Sequence, residues 1–177
     1  MPKEKKSPKP IVLADTNIFS YLIDKGKVFE TLSIIGELEN EYEVSFSDVT
    51  RYELICTGIA KMRVVVAFLT GRFRLFNIDK DILTFAAFYS CLGIKKVPDS
   101  IIAATSFLND GLILTADNDF CEPYFSEIRH WVVKNVNDKK RMSATIIHLL
   151  KVNQNETVTE IQKIKYLHVD EEQKGEK

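Results

Sequence analysis

The chain predicts an α/β fold, with a parallel sheet sandwiched between layers of helices. Three observations lead there. The short, wholly apolar run Ile11-Val12-Leu13-Ala14 and the buried strand read in Leu112-Ile113-Leu114-Thr115 suit a sheet covered on both faces. Segments with helical periodicity lie between them. Strand and helix then alternate as far as about residue 134, and right-handed crossovers place helices on both faces of such a sheet.

The elements follow in order. Residues 1–10 carry four lysines, one glutamate and three prolines, which make a basic tail with no core-forming content. The first strand is Ile11 to Ala14, closed by Asp15-Thr16-Asn17. Ile18 to Ile23 is apolar at helical spacing, and Lys25-Gly26-Lys27 interrupts it. A second helix shows Val28, Phe29, Leu32, Ile35 and Leu38 on one face. Glu43 to Phe46 is the second strand. Ser47 or Asp48 caps a helix running through Glu53 towards Leu69, and Gly71 ends it. Phe73 to Ile78 holds the third strand. A helix from Asp79 or Lys80 to Leu92 stops at Gly93. Asp99 opens the next, Ser100 to Asn109, ended by Gly111. Leu112 to Thr115 is the fourth strand and Ile128 to Val133 the fifth, with the single tryptophan, Trp131.

Beyond this domain of residues 11–134, residues 135–169 read as a helical extension: one helix over Arg141 to Val152, another amphipathic stretch over Val158 to Leu167. Residues 170–177 are a charged tail.

Composition narrows the function. Apolar residues make up 45% and charged residues 28%, as in folded globular domains. The formal net charge of −1 excludes a generally basic nucleic-acid binder, while leaving room for an enzyme with a local basic rim. There is no apolar run long enough to span a membrane and no apolar core of a signal peptide, so a cytoplasmic protein is expected. Cys56, Cys91 and Cys121 are far apart and form no CxxC pair, which argues for reduced, partly buried thiols rather than zinc or disulfides. His130, His148 and His168 are read as packing or surface residues.

The acids carry the chemistry. Asp15 directly follows the first strand, Asp99 begins the helix before the fourth, and Asp117 and Asp119 follow the fourth. Ligands of open parallel sheets sit outside the carboxyl ends of the strands. Glu53 lies early in the helix after the second strand and can face the same end. Each acid alone has a plainer explanation: Asp15 and Asp99 as helix caps, Asp117 and Asp119 as turn residues, Glu53 as a solvated helix residue. Together they would repel one another without a cation, and hard divalent ions with oxygen ligands meet that need. Such a site suits phosphodiester hydrolysis, in which an ion activates water and stabilises charge on the phosphate. A basic rim for a phosphodiester substrate is expected from Arg51, Lys61, Arg63, Lys95 and Lys96, and Tyr21 could stack on a base or pack in the core. A phosphatase of the haloacid-dehalogenase type would need a DxD where Asp15-Thr16-Asn17 stands.

Four segments resemble the motifs of PIN domains: Ile11 to Asn17, Arg51 to Gly58, Pro98 to Ser106 and Leu112 to Phe120. The resemblance implies a three-layer, Rossmann-like fold with a five-stranded parallel sheet in the order 3-2-1-4-5. It also implies Mg²⁺- or Mn²⁺-dependent cleavage of RNA. Carried over residue by residue, Asp15, Glu53, Asp99 and Asp117 take the metal-binding acidic positions, Asp119 an assisting one, and Asn17 and Thr115 the polar positions that hold the first and fourth acids. The motif style is most similar to VapC-type toxins, which implies a small antitoxin partner and a homodimer. Alternatives in the same family are a stand-alone RNA-processing nuclease and a non-catalytic module that binds RNA or a partner. The basic tail and the C-terminal extension depart from the small toxin pattern.

Overall fold

A computed structural model describes residues 8–23, 27–57, 60–120, 123–134 and 144–160. Its strands are β1 (Ile11–Ala14), β2 (Glu43–Ser47), β3 (Arg74–Phe76), β4 (Leu112–Thr115), β5 (Phe125–Lys134) and β6 (Ala144–Val152). Its helices are α1 (Thr16–Ser20), α2 (Val28–Glu41), α3 (Asp48–Cys56), α4 (Ala60–Arg72), α5 (Lys80–Cys91) and α6 (Val97–Leu108). The strands form one six-stranded sheet in the order β3-β2-β1-β4-β6-β5.

The expected order 3-2-1-4 is present, and those four strands are parallel. The remaining wall differs from the expectation. β6 pairs antiparallel with β4, and β5 pairs antiparallel with β6, so the sheet is mixed and β5 is not paired with β4. The helix expected over Arg141 to Val152 is a strand wherever that range is described. The apolar positions Ile146, Ile147, Leu149 and Leu150 admit either structure, because a short apolar run does not separate a buried helix from a buried strand. The β-branched residues Thr145, Ile146, Ile147 and Val152 favour the strand, where they fit the pleated surface beside β4. Residues 154–160 are helical, and the rest of the expected second helix lies outside the described residues.

Strand alternation sorts the core into two layers. Val12, Ala14, Leu114, Ile147 and Leu149 face a cluster built with Phe19, Ile35, Leu38 and Leu69. Leu13, Ile113, Leu150 and Val152 face the other, with Ile82, Tyr89, Ile102, Phe120 and Phe125. Each such Leu, Ile or Phe stabilises the fold by about 1.5–3 kcal/mol through burial. Asp15 and Thr115 continue the parity of Leu13 and Ile113, so they emerge on the layer that contains α6.

Caps set where the helices start. Asp15 Oδ1 accepts from Thr16 N at 2.6 Å and caps α1. Ser47 caps α3 through Thr50 N, and Asp79 caps α5 through Ile82 N. The long helix expected through Glu53 towards Leu69 is two helices, α3 and α4. α6 begins two residues before the expected Asp99, with Lys96 as its N-cap and Pro98 in its first turn. Asp99 thus sits inside the first turn, where the helix dipole favours a negative charge. Cys56 and Cys91 are free and exposed rather than partly buried, and Cys121 and His168 lie outside the described residues.

Candidate metal centre

The site grows from the carboxyl end of β1. Asp15 is buried, and its backbone N–H still donates to Leu114 O at 2.9 Å, which pulls the β1 and β4 ends together. Its Oδ2 accepts from Thr115 Oγ1 at 2.7 Å and from Asn17 Nδ2 at 2.5 Å. Asn17 also donates to Thr115 Oγ1 at 3.2 Å and accepts from Ala116 N at 3.1 Å, so its amide clamps the β4 turn to the β1 turn. Thr115 Oγ1 accepts in addition from Asp117 N at 3.0 Å, and Asp117 Oδ1 accepts from Asp119 N at 3.1 Å. The two strand ends are one hydrogen-bonded unit.

Glu53 comes from α3. Thr16 Oγ1 donates to Glu53 Oε2, and the Glu53 charge acts on Asp15. Asp99 comes from α6 and is 6% exposed, and its Oδ2 is buried with no hydrogen-bond partner. One carboxylate oxygen from each of Asp99, Asp117 and Asp119 lies within 4.8 Å of the others. Five acids from four separate stretches of the chain thus lie toward one end of the sheet.

Lys96 sits among them. Its Nζ is 2.7 Å from Asp117 Oδ2, 2.6 Å from Asp119 Oδ2 and 3.7 Å from Asp99 Oδ2. The sequence suggests a basic rim for this residue, yet its ammonium is inside the acid cluster. The other rim candidates with described side chains do not share this placement. Arg51 is held by Asp48 at 2.7 Å, Arg63 and Lys95 are exposed, and the Lys61 side chain lies outside the described residues. Tyr21 packs against the core, with Lys27 Nζ 4.0 Å from its ring centroid.

Charge crowding appears in the proton affinities. Asp15 is pushed up to about 6, chiefly by burial, with Glu53 and Asp117 adding repulsion against the Thr115 and Thr16 hydrogen bonds. Asp99 is pushed up to about 7, again by burial first and then by the charge of Asp15, with Lys96 opposing. Burial works to raise Asp117 as well, but the Lys96 hydrogen bond and the Asp119 and Asn118 amides outweigh it and hold it below its ordinary value. The Lys96 ammonium is held charged by its hydrogen bonds to Asp117 and Asp119.

The donor set fits a hard divalent ion. All the candidate ligands are carboxylate oxygens, and the orphaned Asp99 Oδ2 is a buried acceptor that a cation would satisfy. Asp99, Asp117 and Asp119 bring oxygens within 4.8 Å of one another, and Asp15 and Glu53 are candidates beside them.

His148 is a polar neighbour of the centre that sequence pattern assigns only to packing or surface. β6 places it directly opposite Thr115. Its Nδ1 hydrogen-bonds Glu127 Oε2, while His130 Nδ1 lies 3.0 Å from Glu127 Oε1. Those bonds, His148 first, hold the Glu127 carboxyl below its ordinary value. Only the strand pairing of β6 reveals this row, and no local motif announces it.

Comparison with known proteins bears on the fold and the family. No match is found among curated proteins. A toxin–antitoxin complex from Klebsiella pneumoniae contains a chain of similar fold, with a TM-score of 0.53 and 24% identity over 63% of this chain and 91% of that one. VapBC2 from Rickettsia felis, bound to a DNA fragment from its promoter, matches with a TM-score of 0.50 and 14% identity over 60% and 87%. The family model of the PIN domain matches residues 12–126, a stretch that contains every acid of the centre, and the chain belongs to the PIN domain family.

Proposed function

We propose that this chain is a divalent-metal-dependent endoribonuclease of the VapC type, the toxin of a toxin–antitoxin pair. The observation that carries the nuclease reading is the convergence of Asp15, Glu53, Asp99 and Asp117, with a buried Asp99 oxygen that has no hydrogen-bond partner. PIN domain membership supports nuclease chemistry. The toxin role draws on the similar solved structures, one a toxin–antitoxin complex and the other VapBC2. A small antitoxin partner and self-association belong to the same reading.

In this reading Asp15, Asp99, Asp117 and Asp119 hold Mg²⁺ or Mn²⁺, and Glu53 flanks it. A bound ion supplies positive charge against the phosphate oxygens as the diester is hydrolysed. The residues of the chain do the rest. Thr115, Asn17 and the Thr16 amide fix the Asp15 carboxylate in one orientation. Glu53, held by Thr16, is a carboxylate at the same end of the sheet, able to accept a proton from attacking water. Lys96 must leave the Asp117 and Asp119 oxygens for an ion to use them, which frees its ammonium for a phosphate.

A second reading, a non-catalytic module, has one observation in its favour: Lys96 already neutralises part of the cluster. One experiment separates the two. Labelled single-stranded RNA incubated with the protein and Mg²⁺ or Mn²⁺ should be cut internally, and Asp99→Asn should abolish the cutting. Cleavage that persists in Asp99→Asn, or RNA binding without turnover at saturating metal, refutes the nuclease.

A further inference from the structure

An open hollow lies beside the metal centre and shares Asp117 with it. Its volume is about 220 Å³, and Phe120, Phe125, Asn118, Glu127 and His148 contribute to its walls. We propose that this hollow is a subsite for one nucleobase of the RNA, next to the phosphate that is cut, and that His148 and Asn118 read the edge of that base. The proposal rests on the nuclease reading above.

Size comes first. Sites for drug-sized ligands run to about 300–1,000 Å³. A hollow below that range suits a single flat ring system better than a whole nucleotide. Its lining has two characters. Phe120 and Phe125 are buried and pack edge to face at 5.3 Å, which makes an apolar wall. Asp117, Asn118, Glu127 and His148 make a polar one. A nucleobase has this division, with apolar faces and a polar edge. A phosphate does not fit it, because Asp117 and Glu127 would both repel the anion.

The polar wall is also held in place. Glu127 accepts from both imidazoles, so the two histidines and the carboxylate form one hydrogen-bonded row across β5 and β6. A carboxylate partner at Nδ1 calls for an N–H there, which leaves Nε2 as the His148 nitrogen that can meet a base edge. The Asn118 amide offers both a donor and an acceptor. Acceptor and donor side by side can distinguish bases by their edges. Register then ties the subsite to the chemistry. His148 is opposite Thr115, whose hydroxyl holds Asp15.

The test is a pool of single-stranded RNA of random sequence, digested in Mn²⁺ by wild type, His148→Ala, His148→Gln and Asn118→Ala, with the new ends sequenced. Wild type should prefer one base at one position flanking the cut. That preference should fall by about tenfold in His148→Ala and Asn118→Ala, the size expected for one lost base-edge interaction. His148→Gln, which keeps an acceptor, should retain part of it. Mn²⁺ affinity, measured by calorimetry, should be unchanged in His148→Ala. A preference that survives both alanine variants overturns the proposal. So does a loss of Mn²⁺ binding in His148→Ala, which would place the imidazole in the metal centre. If wild type cuts no RNA with either ion, the nuclease reading fails instead. Trinucleotides titrated against the protein in Ca²⁺ then decide the subsite alone: base-dependent binding that His148→Ala abolishes supports it, and base-independent binding overturns it.

Discussion

At Asp99, burial and the neighbouring carboxylates both oppose ionisation, and Lys96 favours it. A carboxyl raised to about 7 in the folded chain binds a proton that the unfolded chain releases near 4. The metal-free fold therefore loses stability as pH rises from about 4 to about 7, and the Asp15 carboxyl, raised to about 6, adds to the loss. Asp99→Asn should stabilise the metal-free protein at pH 8 by on the order of 1–3 kcal/mol, read by urea denaturation, while abolishing divalent-ion binding. A destabilised variant would mean that the charge is satisfied by the fold itself. Thr115→Val should cost about 10–100-fold in metal affinity, since it removes the donor that orients Asp15. Lys96→Met should instead tighten metal binding, measured by calorimetry, because it removes the cation already among the Asp117 and Asp119 oxygens. Weaker binding in that variant would show that Lys96 supports the ion rather than competing with it. The acids themselves are legible in the sequence, because each lies at a strand end or in the first turns of a helix, where local pattern is strong. The Lys96 placement is not. It depends on α6 starting two residues early, at Val97, and helix ends are the least determined feature of a one-dimensional pattern.

β6 is the element that local pattern misplaces. β1 and β4 are legible because an unbroken apolar run of three or four residues is too short for a helix and is flanked by turn residues. β6 has nine residues with apolar positions at both spacings, and its partner strands are set by topology rather than by neighbours in the chain. Its contribution to the core is nonetheless as firm as that of β4: Ile147 and Leu149 are buried in the same cluster as Leu114 and the α2 residues Ile35 and Leu38. Leu149→Ala should destabilise the protein by about 2–5 kcal/mol, as for other fully buried leucines. A cost below about 1 kcal/mol in a denaturation experiment would make β6 a detachable appendage, the role that a helical extension over residues 135–169 would have.

Metal binding and folding should be coupled across the whole protein. At pH 8 the crowded carboxylates oppose the fold, and a divalent ion reverses that opposition, so added Mn²⁺ should raise the melting temperature more at pH ~8 than at pH ~5.5. Equal shifts at both pH values would separate the ion from Asp15 and Asp99. No helix among the described residues is long and apolar enough to cross a membrane, and the hollow beside the acids opens to solvent. The order β4-β6-β5 has one more consequence, which concerns synthesis. β5 leaves the ribosome before β6, yet β6 must slip in between it and the rest of the sheet. Until residue 152 is available, a nascent chain carries all its acids but has an unfinished wall beside them. The part of the hollow that β6 lines, at His148 and Leu150, is therefore the last of the described sheet to be completed.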